Sequence, residues 1–526
     1  MVAANSSVFL QTIMFIMNQS NFQDTTSYNY YYLDIGKETN ATRCYGIYGC
    51  FELTKPWTSE HRPVSYFPND LEKIEPRFLL FTRRHPRRPY IFDLNDDDIV
   101  GHAPLNTKKP LYVIAHGFLE NGGMTWIKEM THELLIMEDC SIIVVDWHGG
   151  SSPPYTQAVA NIRLLGAITA HLVAEVSAHT GDMGLSHVHC IGHSLGAHLC
   201  GYVGYTLQKE FNLTLERITG LDPAEPHFGK SQPPVRLDKT AAKYVDVIHT
   251  DASPILLGGL GIVERIGHVD YFPNGGKDQP GCSMRTYQHF IYQEDSFFKG
   301  IRKYLGCNHI RSYEFFIETI NPKCSWYTVS CTSFDDFVAG NCFDCGKYGE
   351  KCLKFGYHSK KHYEQLMAKG LIHKDQNLRQ YLMTGENRPY CRAHYRISVK
   401  ISGSERSKLH RGEIGQLVFI MHSTSDGKGF KSKPAALKGG YHEPGEIYTG
   451  VVATDEIRTL KAVEVEWRYN SSLFNPLTWR LLSAPRIFID HITVDALEIR
   501  KTITVCPKQE VPLITGFSQI LIPSYC

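Results

Sequence analysis

The chain has 526 residues, of which 42% are hydrophobic and 21% charged, and its formal net charge at pH 7 is +1. This composition is typical of a globular protein, and the length exceeds what one ordinary hydrophobic core can hold, so two domains are expected. The balanced charge excludes a general attraction to nucleic acid or to anionic surfaces.

Residues 1–43 contain a short apolar run at residues 8–17 and are otherwise polar and tyrosine-rich. That run contains Gln11, no Lys or Arg precedes it, and no small-x-small cleavage site follows it, so it matches a signal peptide poorly. We expect residues 1–43 to be an N-terminal leader or a disordered segment outside the fold.

The fifteen cysteines are unevenly spaced, and several form short-range pairs. The pairs are Cys44 with Cys50, Cys331 with Cys342, Cys345 with Cys352, and Cys506 with Cys526, while Cys282 and Cys307 bracket a loop of 24 residues. Such spacing near loops and termini indicates disulfides of an oxidising compartment, and it predicts a secreted, extracellular protein. A zinc site on Cys342-x-x-Cys345 is the weaker alternative, because no second pair of that spacing follows. Four glycosylation sequons agree with secretion, at Asn18, Asn40, Asn212 and Asn470.

One basic cluster departs from the overall charge balance. Arg83, Arg84, Arg87 and Arg88 are interleaved with two prolines. A solvated loop is the favoured interpretation, and a polyanion site is the alternative.

Short apolar runs alternate with helix-length segments between residues 44 and 388. The runs are residues 78–81, 111–115, 142–146, 187–191, 217–221 and 245–249, and apolar residues recur every three to four positions over residues 162–178. This alternation predicts a mostly parallel sheet with helices on both faces. In such a sheet, active groups collect beyond the carboxyl ends of the strands.

Residues 186–204 contain the strongest catalytic signal. An apolar strand leads into a G-x-S-x-G turn at 192–196, and a helix of small and apolar residues follows. In this arrangement the serine is held at the top of a sheet, and the following helix directs free N–H groups toward developing negative charge. Ser194 is the predicted nucleophile and Leu195 N–H a predicted oxyanion donor, with an ordinary glycine-rich turn as the alternative.

A serine nucleophile needs a base, and the base needs an acceptor for its second ring nitrogen. Asp222 ends a strand, and the prolines that follow it fix its loop. Asp146 also ends a strand but precedes the serine, so the hydrolase order of serine, acid and histidine favours Asp222. Residue chemistry alone leaves the base open among His227, His249, His268, His289 and His309. His309 is favoured because a disulfide at Cys307 would hold its loop, whereas His268 could equally be a packed histidine.

The loop between Cys282 and Cys307 is amphipathic. Its apolar residues recur at helical spacing opposite basic ones; they are Phe297, Phe298, Ile301, Tyr304 and Leu305, against Lys299, Arg302 and Lys303. A segment tied at both ends and placed directly before the candidate base is typical of a lid over an apolar cleft. An ordinary surface helix is the alternative.

The pattern changes near residue 389. Strands are predicted at 395–401, 416–422, 446–452, 463–469 and 486–497, and they are separated by Gly, Pro and Ser. This predicts a separate β-sandwich over residues 389–526. It contains no catalytic constellation, so a binding or positioning role is expected.

Taken together, these motifs resemble the pancreatic lipase family, in particular its triacylglycerol lipases. The resembling segments are residues 44–45, 49–51, 116–118, 145–147, 149–151, 192–198, 218–226, 245–251, 267–276 and 307–313, and the series Cys331, Cys342, Cys345 and Cys352. The match covers nearly everything from residue 44 to 526. The resemblance implies an α/β-hydrolase domain over residues 44–388 and a PLAT-like β-sandwich over 389–526.

The resemblance also implies a site and an activity. The site is a triad of Ser194, Asp222 and His309, with the N–H groups of Phe118 and Leu195 as the oxyanion hole. Cys282 and Cys307 bound the implied lid. The implied activity is hydrolysis of triacylglycerol esters at a lipid–water interface, with no required cofactor.

Two alternatives to this activity stand beside it. One is phospholipase A1 or galactolipase activity. The other, from a different class, is a catalytically silent lipid-binding or storage protein. The expected partners are the interface and the acylglycerol substrate, without nucleic acid, and a colipase-like partner is left open.

The sequence departs from the family at its calcium loop. The family binds calcium after the catalytic aspartate with backbone carbonyls and two acidic side chains. Arg236 and Asp238 remain here, but Pro233 and Ala241 stand where the acids are expected. A hard cation requires several anionic oxygens, so a structural calcium ion is disfavoured and no metal site is predicted.

The cysteines also depart from the family. One family disulfide before the strand that ends at Asp146 has no counterpart. The pairing of five cysteines is left unassigned: Cys140, Cys190, Cys200, Cys324 and Cys391.

Overall fold

The structure, a computed structural model, describes residues 42–60, 62–96, 98–105, 109–182, 184–254, 258–282, 306–425, 428–470, 484–524 and 526. The chain divides into two compact units. The first ends at Asn321 and also includes His373–Arg379, and the second comprises Pro322–Ile372 and Gln380–Cys526. The predictions for the N-terminal leader and for the interior of the lid lie outside the described residues. The domain boundary between residues 388 and 389 stays a prediction.

The first unit begins with a small hairpin and continues into a large mixed sheet. The hairpin is β1 (Thr42–Cys44) and β2 (Cys50–Glu52), and the sheet strands are β3 (Arg77–Thr82), β4 (His85–Phe92), β5 (Leu111–Ala115), β6 (Ser141–Asp146), β7 (Val188–His193), β8 (Leu215–Leu221), β9 (Ala242–Ile248) and β10 (Val269–Pro273). Over residues 77–273 the strand order in the sheet is β10-β9-β8-β7-β5-β6-β3-β4. Strands β5 to β10 pair in parallel, and β3 and β4 add an antiparallel edge. The predicted, mostly parallel sheet is confirmed.

The first unit also contains α-helices, three of which connect successive parallel strands. They are α1 (Leu71–Ile74), α2 (Thr125–Met137), α3 (Tyr155–Thr180), α4 (Leu195–Phe211) and α5 (Cys307–Glu318). Among the described helices, α3 alone is long and apolar enough to cross a membrane, but 89% of its apolar window is buried inside the protein. It packs closely on α4, because a Cβ at Gly166 would lie 2.4 Å from Tyr202 Cβ. This contact identifies α3 as a core helix.

The second unit is rich in antiparallel sheet. Its elements are β11 (Val329–Ser330), α6 (Phe334–Val338), α7 (Ser359–Ala368), β12 (Leu378–Leu382, which begins in the first unit), β13 (Ala393–Ile401), α8 (Glu405–His410), β14 (Glu413–Ser425), β15 (Lys428–Lys431), β16 (Ala435–Ala436), β17 (Gly440–His442), β18 (Ile447–Thr454), β19 (Leu460–Tyr469), β20 (Arg486–Ala496), β21 (Lys501–Cys506), β22 (Pro512–Ile514) and β23 (Ser518–Pro523). The main sheet path is β15-β14-β19-β23-β21-β20-β13-β18, with antiparallel pairing. Alternate residues such as Ile397, Val399 and Val465 are fully buried, as expected of strands with one face in a core. This unit is consistent with a β-sandwich.

Seven disulfides join the described cysteines. The five pairs suggested by spacing all form, which removes the zinc alternative for Cys342 and Cys345. The pairs left unassigned are Cys190–Cys200 and Cys324–Cys391. Cys140 is free and buried, and burial raises the pKa of its thiol to about 12. Several disulfides of this kind fit a protein of an oxidising compartment.

Candidate active site

Ser194 lies at the sharp turn between β7 and α4. Its backbone has φ 55° and ψ −119°, a conformation that is strained for a residue other than glycine. The flanking glycines make the turn possible, because a Cβ at Gly192 would lie 2.1 Å from the carbonyl oxygen of Gly196. The Ser194 N–H donates to the carbonyl oxygen of Leu221 at 3.0 Å, which fixes the turn against β8. Ser194 is therefore held just beyond the carboxyl end of β7.

Asp222 follows β8 directly, and it is completely buried. Its Oδ1 accepts backbone N–H groups from Thr250 at 2.7 Å and Asp251 at 3.1 Å. Its Oδ2 lies 2.6 Å from Nδ1 of His309. Both oxygens thus have partners, and the second is directed at an imidazole.

His309 lies in the first turn of α5, and its side chain is 9% exposed. Two constraints position it: the Cys282–Cys307 disulfide just before it, and the Ser312 hydroxyl, which donates to its carbonyl oxygen at 2.8 Å. Its ring centroid is 4.6 Å from that of His193, the residue that precedes Ser194. The imidazole therefore contacts Asp222 and lies close to the residue that precedes Ser194.

The competing candidates from the sequence have other partners. Asp146 lies 2.5 Å from Arg77, and its Oδ1 accepts the Gly122 N–H at 3.0 Å. His249 contacts Asp270 at 2.7 Å, and His268 accepts the Val245 N–H at 3.0 Å. Burial lowers the pKa of His268 and of His227 to about 4, as expected of packed, neutral imidazoles. His289 lies outside the described residues.

Phe118 and Leu195, the predicted oxyanion donors, lie on two segments that flank Ser194. Leu195 begins α4, so its N–H belongs to the first helical turn, where backbone donors lack intrahelical acceptors. Phe118 follows β5, and its ring packs edge-on against Tyr155 with centroids 5.1 Å apart. The preceding Gly117 is close to the serine, because a Cβ there would lie 2.8 Å from Ser194 Cβ. The loop of Phe118 therefore lies close to Ser194, and the oxyanion role of the two N–H groups stays a prediction.

A buried carboxylate that the sequence did not single out ties these two segments together. Oε2 of Glu120 accepts the Gly117 N–H at 2.7 Å and lies 3.1 Å from Nδ1 of His193. Its Oε1 accepts Trp126 Nε1–H at 3.1 Å. Burial alone would raise the pKa of Glu120, but His193 and the Gly117 N–H outweigh that effect and hold it at about 2. Glu120 is therefore an anion that links the loop of Phe118 to the turn of Ser194.

Asp251 is a second acid that the sequence did not identify. It is 4% exposed, and one of its carboxylate oxygens lies within 4.8 Å of ligand atoms of Asp222 and His309. Burial and the neighbouring Asp222 carboxylate raise the pKa of Asp251 well above its usual range. A neutral Asp251 would leave Asp222 as the anion that faces the imidazole.

The loop that corresponds to the calcium site is held together by the protein's own donors. The guanidinium of Arg236 donates to the carbonyl oxygens of Ser231 at 2.7 Å and Leu237 at 2.8 Å. Further loop carbonyls accept side-chain donors from α4: Val235 from Tyr202, Arg236 from Tyr205, and Thr240 from Gln208. Asp238 Oδ1 accepts the N–H and the hydroxyl of Thr240. These oxygens already have donors, and only one carboxylate lies among them, so the residues do not fit calcium.

We therefore expect chelation to leave the stability of this protein unchanged. A calcium ion at 100 times its Kd would stabilise the fold by about 2.7 kcal/mol, which a chelator would remove. The thermal unfolding midpoint should be the same with EDTA, with added calcium and with neither. Replacing Tyr205 by phenylalanine should instead lower stability by about 1 kcal/mol, because one carbonyl loses its donor. A midpoint that rises with calcium would contradict this assignment.

Comparisons with known proteins agree with this architecture. The Lipase family model matches residues 41–390. Pancreatic triacylglycerol lipase of Mus musculus is 34% identical over 466 residues, covering 88% of this chain and 92% of that protein. Pancreatic lipase-related protein 2 of Homo sapiens is 34% identical over 465 residues, with coverages of 88% and 92%. Inactive pancreatic lipase-related protein 1 of Mus musculus is 32% identical over 479 residues, with coverages of 90% and 93%. The chain therefore belongs to the lipase family of carboxylic ester hydrolases.

Proposed function

We propose that this protein is a secreted lipase that hydrolyses the acyl esters of triacylglycerols at a lipid–water interface. The observation that carries the proposal is the 2.6 Å contact between Asp222 and His309, beside the strained turn of Ser194. Relatives named as triacylglycerol lipases cover most of the chain and support the choice of substrate. The disulfides support secretion.

In the proposed mechanism, His309 takes the hydroxyl proton of Ser194 as Oγ attacks the ester carbonyl carbon. Asp222 orients the ring through Nδ1 and stabilises the imidazolium that forms. The N–H groups of Phe118 and Leu195 donate to the oxyanion, and each such donor lowers the barrier by roughly 3 to 4 kcal/mol. The imidazolium then returns its proton to the departing alcohol. Water, activated by the same histidine, cleaves the acyl-enzyme and releases the fatty acid.

Two further parts of the proposal concern the lid and the second unit. The disulfide between Cys282 and Cys307 closes the ends of the proposed lid to a Cα separation of 5.7 Å. A lid that exposes apolar surface when it opens would favour the open form only at an interface. We assign the antiparallel unit as a PLAT-like domain that binds or positions the enzyme.

The proposed function is tested by hydrolysis of triolein below and above the concentration at which droplets form. We expect the rate to rise sharply once droplets appear and Ser194→Ala to show no hydrolysis above background. Phosphatidylcholine and a galactolipid, offered in parallel, test the alternative activities. Faster hydrolysis of either polar lipid than of triolein would reject the triacylglycerol assignment.

A silent lipid-binding protein is a specific alternative, because one similar relative is named as inactive. A serine-directed organophosphate separates the two cases. An active enzyme should be labelled once per chain, and Ser194→Ala should abolish the label. An unlabelled wild-type protein that still binds lipid droplets would support the silent alternative.

A further inference from the structure

Two buried arginines of the first unit meet at Trp57. Arg62, in the segment before α1, is 3% exposed, and Arg163, on α3, is 7% exposed. The guanidinium of Arg163 lies 3.9 Å from the centre of the Trp57 ring, and Nη1 of Arg62 donates to the carbonyl oxygen of the same residue. The first unit therefore holds two positive charges close together and away from water.

The acceptors of these two guanidiniums are neutral carbonyl groups. Nε of Arg62 donates to the carbonyl oxygen of His227 at 2.8 Å, and Nη1 of Arg163 donates to that of Glu52 at 3.1 Å. Within the described part of the chain, neither arginine forms a salt bridge with a carboxylate. The residue Glu52 is itself exposed, and its carboxylate accepts the hydroxyl of Thr54 at 3.1 Å. The two charges are thus not neutralised by a buried acid.

Tyr202 of α4 lies against the same pair and does not neutralise it either. Its ring centroid is 5.9 Å from that of Trp57, and its hydroxyl donates to the carbonyl oxygen of Val235 at 2.5 Å. Burial raises the pKa of Tyr202 above its ordinary value, so the phenol stays protonated at neutral pH.

Two N–H groups of the pair have no acceptor among the described residues. They are those of Arg62 Nη2 and Arg163 Nε, and both nitrogens are enclosed. Burial lowers the pKa of Arg163 to about 10, and the charge of Arg62 contributes to that effect. Enclosed donors without acceptors and buried charges of one sign both cost free energy. The chemistry that relieves both costs is a negatively charged acceptor.

We infer that a small monovalent anion binds between Arg62 and Arg163 and accepts these two N–H groups. Chloride is the ion that fits this description in the extracellular setting that the disulfides indicate. The near-complete burial of both guanidiniums excludes a polymer, a lipid headgroup or a large organic acid. The binding is charge-assisted hydrogen bonding from two guanidinium groups to one ion.

Such an ion would act on stability. Arg163 belongs to α3, whereas Arg62 holds the carbonyl of His227, five residues after Asp222. A ligand that joins the two arginines would tie these segments to each other in the folded state alone. Its binding free energy therefore adds to the stability of the fold.

Aromatic rings supply the competing explanation. Arg163 also lies 5.2 Å from the ring centre of Phe51, and Arg62 lies 5.5 Å from that of Phe228. Cation–π attraction and the carbonyl dipoles would then offset the charges, with water on the two N–H groups. This explanation predicts no dependence of stability on the identity of the anion at constant ionic strength.

The test is thermal unfolding of the full chain while chloride replaces gluconate at a constant ionic strength of about 0.1 M, which holds charge screening fixed. Arg163→Met keeps an unbranched side chain and removes the charge and the Nε–H. The carbonyl that loses its donor belongs to the exposed residue Glu52. Arg458→Met is the matched control, because it removes an equal charge at an exposed position of the second unit.

We expect the wild-type midpoint to rise by about 3 °C or more and to saturate, because an anion at 100 times its Kd raises the folded-to-unfolded ratio about 100-fold. Arg458→Met should show the same rise and Arg163→Met should show none. A wild-type midpoint that does not respond to chloride, or an equal response in Arg163→Met, would overturn the inference.

Bromide diffraction decides the question without any variant, including the case in which Arg163→Met fails to fold. Crystals of the wild-type chain grown with bromide should show an anomalous peak within hydrogen-bond distance of Arg62 Nη2 and Arg163 Nε. Density there without an anomalous signal would identify water and would refute the anion site.

Discussion

Replacing Asp222 by asparagine should lower kcat by about four orders of magnitude while leaving the protein folded. In this variant, the Asp222 oxygen that lies 2.6 Å from His309 Nδ1 would be replaced by the amide NH2 group or turned away from the ring. An amide N–H donor at this position favours the wrong imidazole tautomer, in which Nε2 carries the proton. Nε2 then cannot accept the proton of Ser194. The measurement is kcat on emulsified triolein, with thermal unfolding as the check on folding.

Asp251 provides the matched control, because Asp251→Asn changes a neighbouring acid in the same buried cluster. The raised pKa keeps this carboxyl neutral near pH 7, so an amide of the same size should leave kcat within about threefold of wild type. If Asp251→Asn lost as much activity as Asp222→Asn, the assignment of Asp222 as the sole acid of the triad would be wrong.

The difference in free energy of unfolding between Asp251→Asn and wild type should depend on pH, and the raised pKa of Asp251 fixes its sign. In the unfolded chain, Asp251 ionises near pH 4. In the folded chain its pKa is raised, so above about pH 4 the unfolded state binds fewer protons and wild-type stability falls as the pH rises. Asp251→Asn removes this pH-dependent fall in stability. Its free energy of unfolding should therefore match wild type near pH 3 and exceed it increasingly up to neutral pH.

The parts of the fold with strong local signals could be predicted from the sequence. Around Ser194, an apolar run leads into a turn that is flanked by two glycines. These glycines are required because neighbouring backbone atoms leave no room for a Cβ. The parallel strands are continuous apolar runs because both faces of each are buried. Strand β4 has no such signal for the opposite reason. Five of its eight residues are exposed and two are prolines, so it has no apolar pattern, which a position at the sheet edge permits.

The interactions that support the site could not be predicted, because they depend on distant segments meeting in the fold. Glu120 is 73 residues from His193, and Asp251 is 29 residues from Asp222. The side-chain donors to the loop at residues 231–240 also come from a distant segment, since Tyr205 lies on a helix and its acceptor is the carbonyl of Arg236, 31 residues later. Pro233 and Ala241, which stand where acids are expected, disfavour calcium, but they do not predict which donors hold the loop.

The second large effect on kcat is expected when Glu120, which we treat as a positioning residue, is replaced. Replacing it by leucine removes the acceptor of the Gly117 N–H and the contact with His193, so the loop of Phe118 is no longer tied to the turn of Ser194. Losing one oxyanion donor typically costs about 100- to 1000-fold in kcat. We expect a loss of that size in kcat, with KM on emulsified substrate nearly unchanged.

Glutamine at position 120 keeps one acceptor for Gly117 without the charge, and it should therefore recover part of kcat. This intermediate variant also guards against misfolding, because leucine leaves buried donors unpaired at about 1–3 kcal/mol each. Glu72→Leu removes an exposed carboxylate on α1 and should behave as wild type. Equal losses for leucine and glutamine, or a fall in kcat that only follows a fall in the unfolding midpoint, would contradict the positioning role. A graded loss of kcat in folded variants would identify the buried anion as the group that keeps the two oxyanion segments in register.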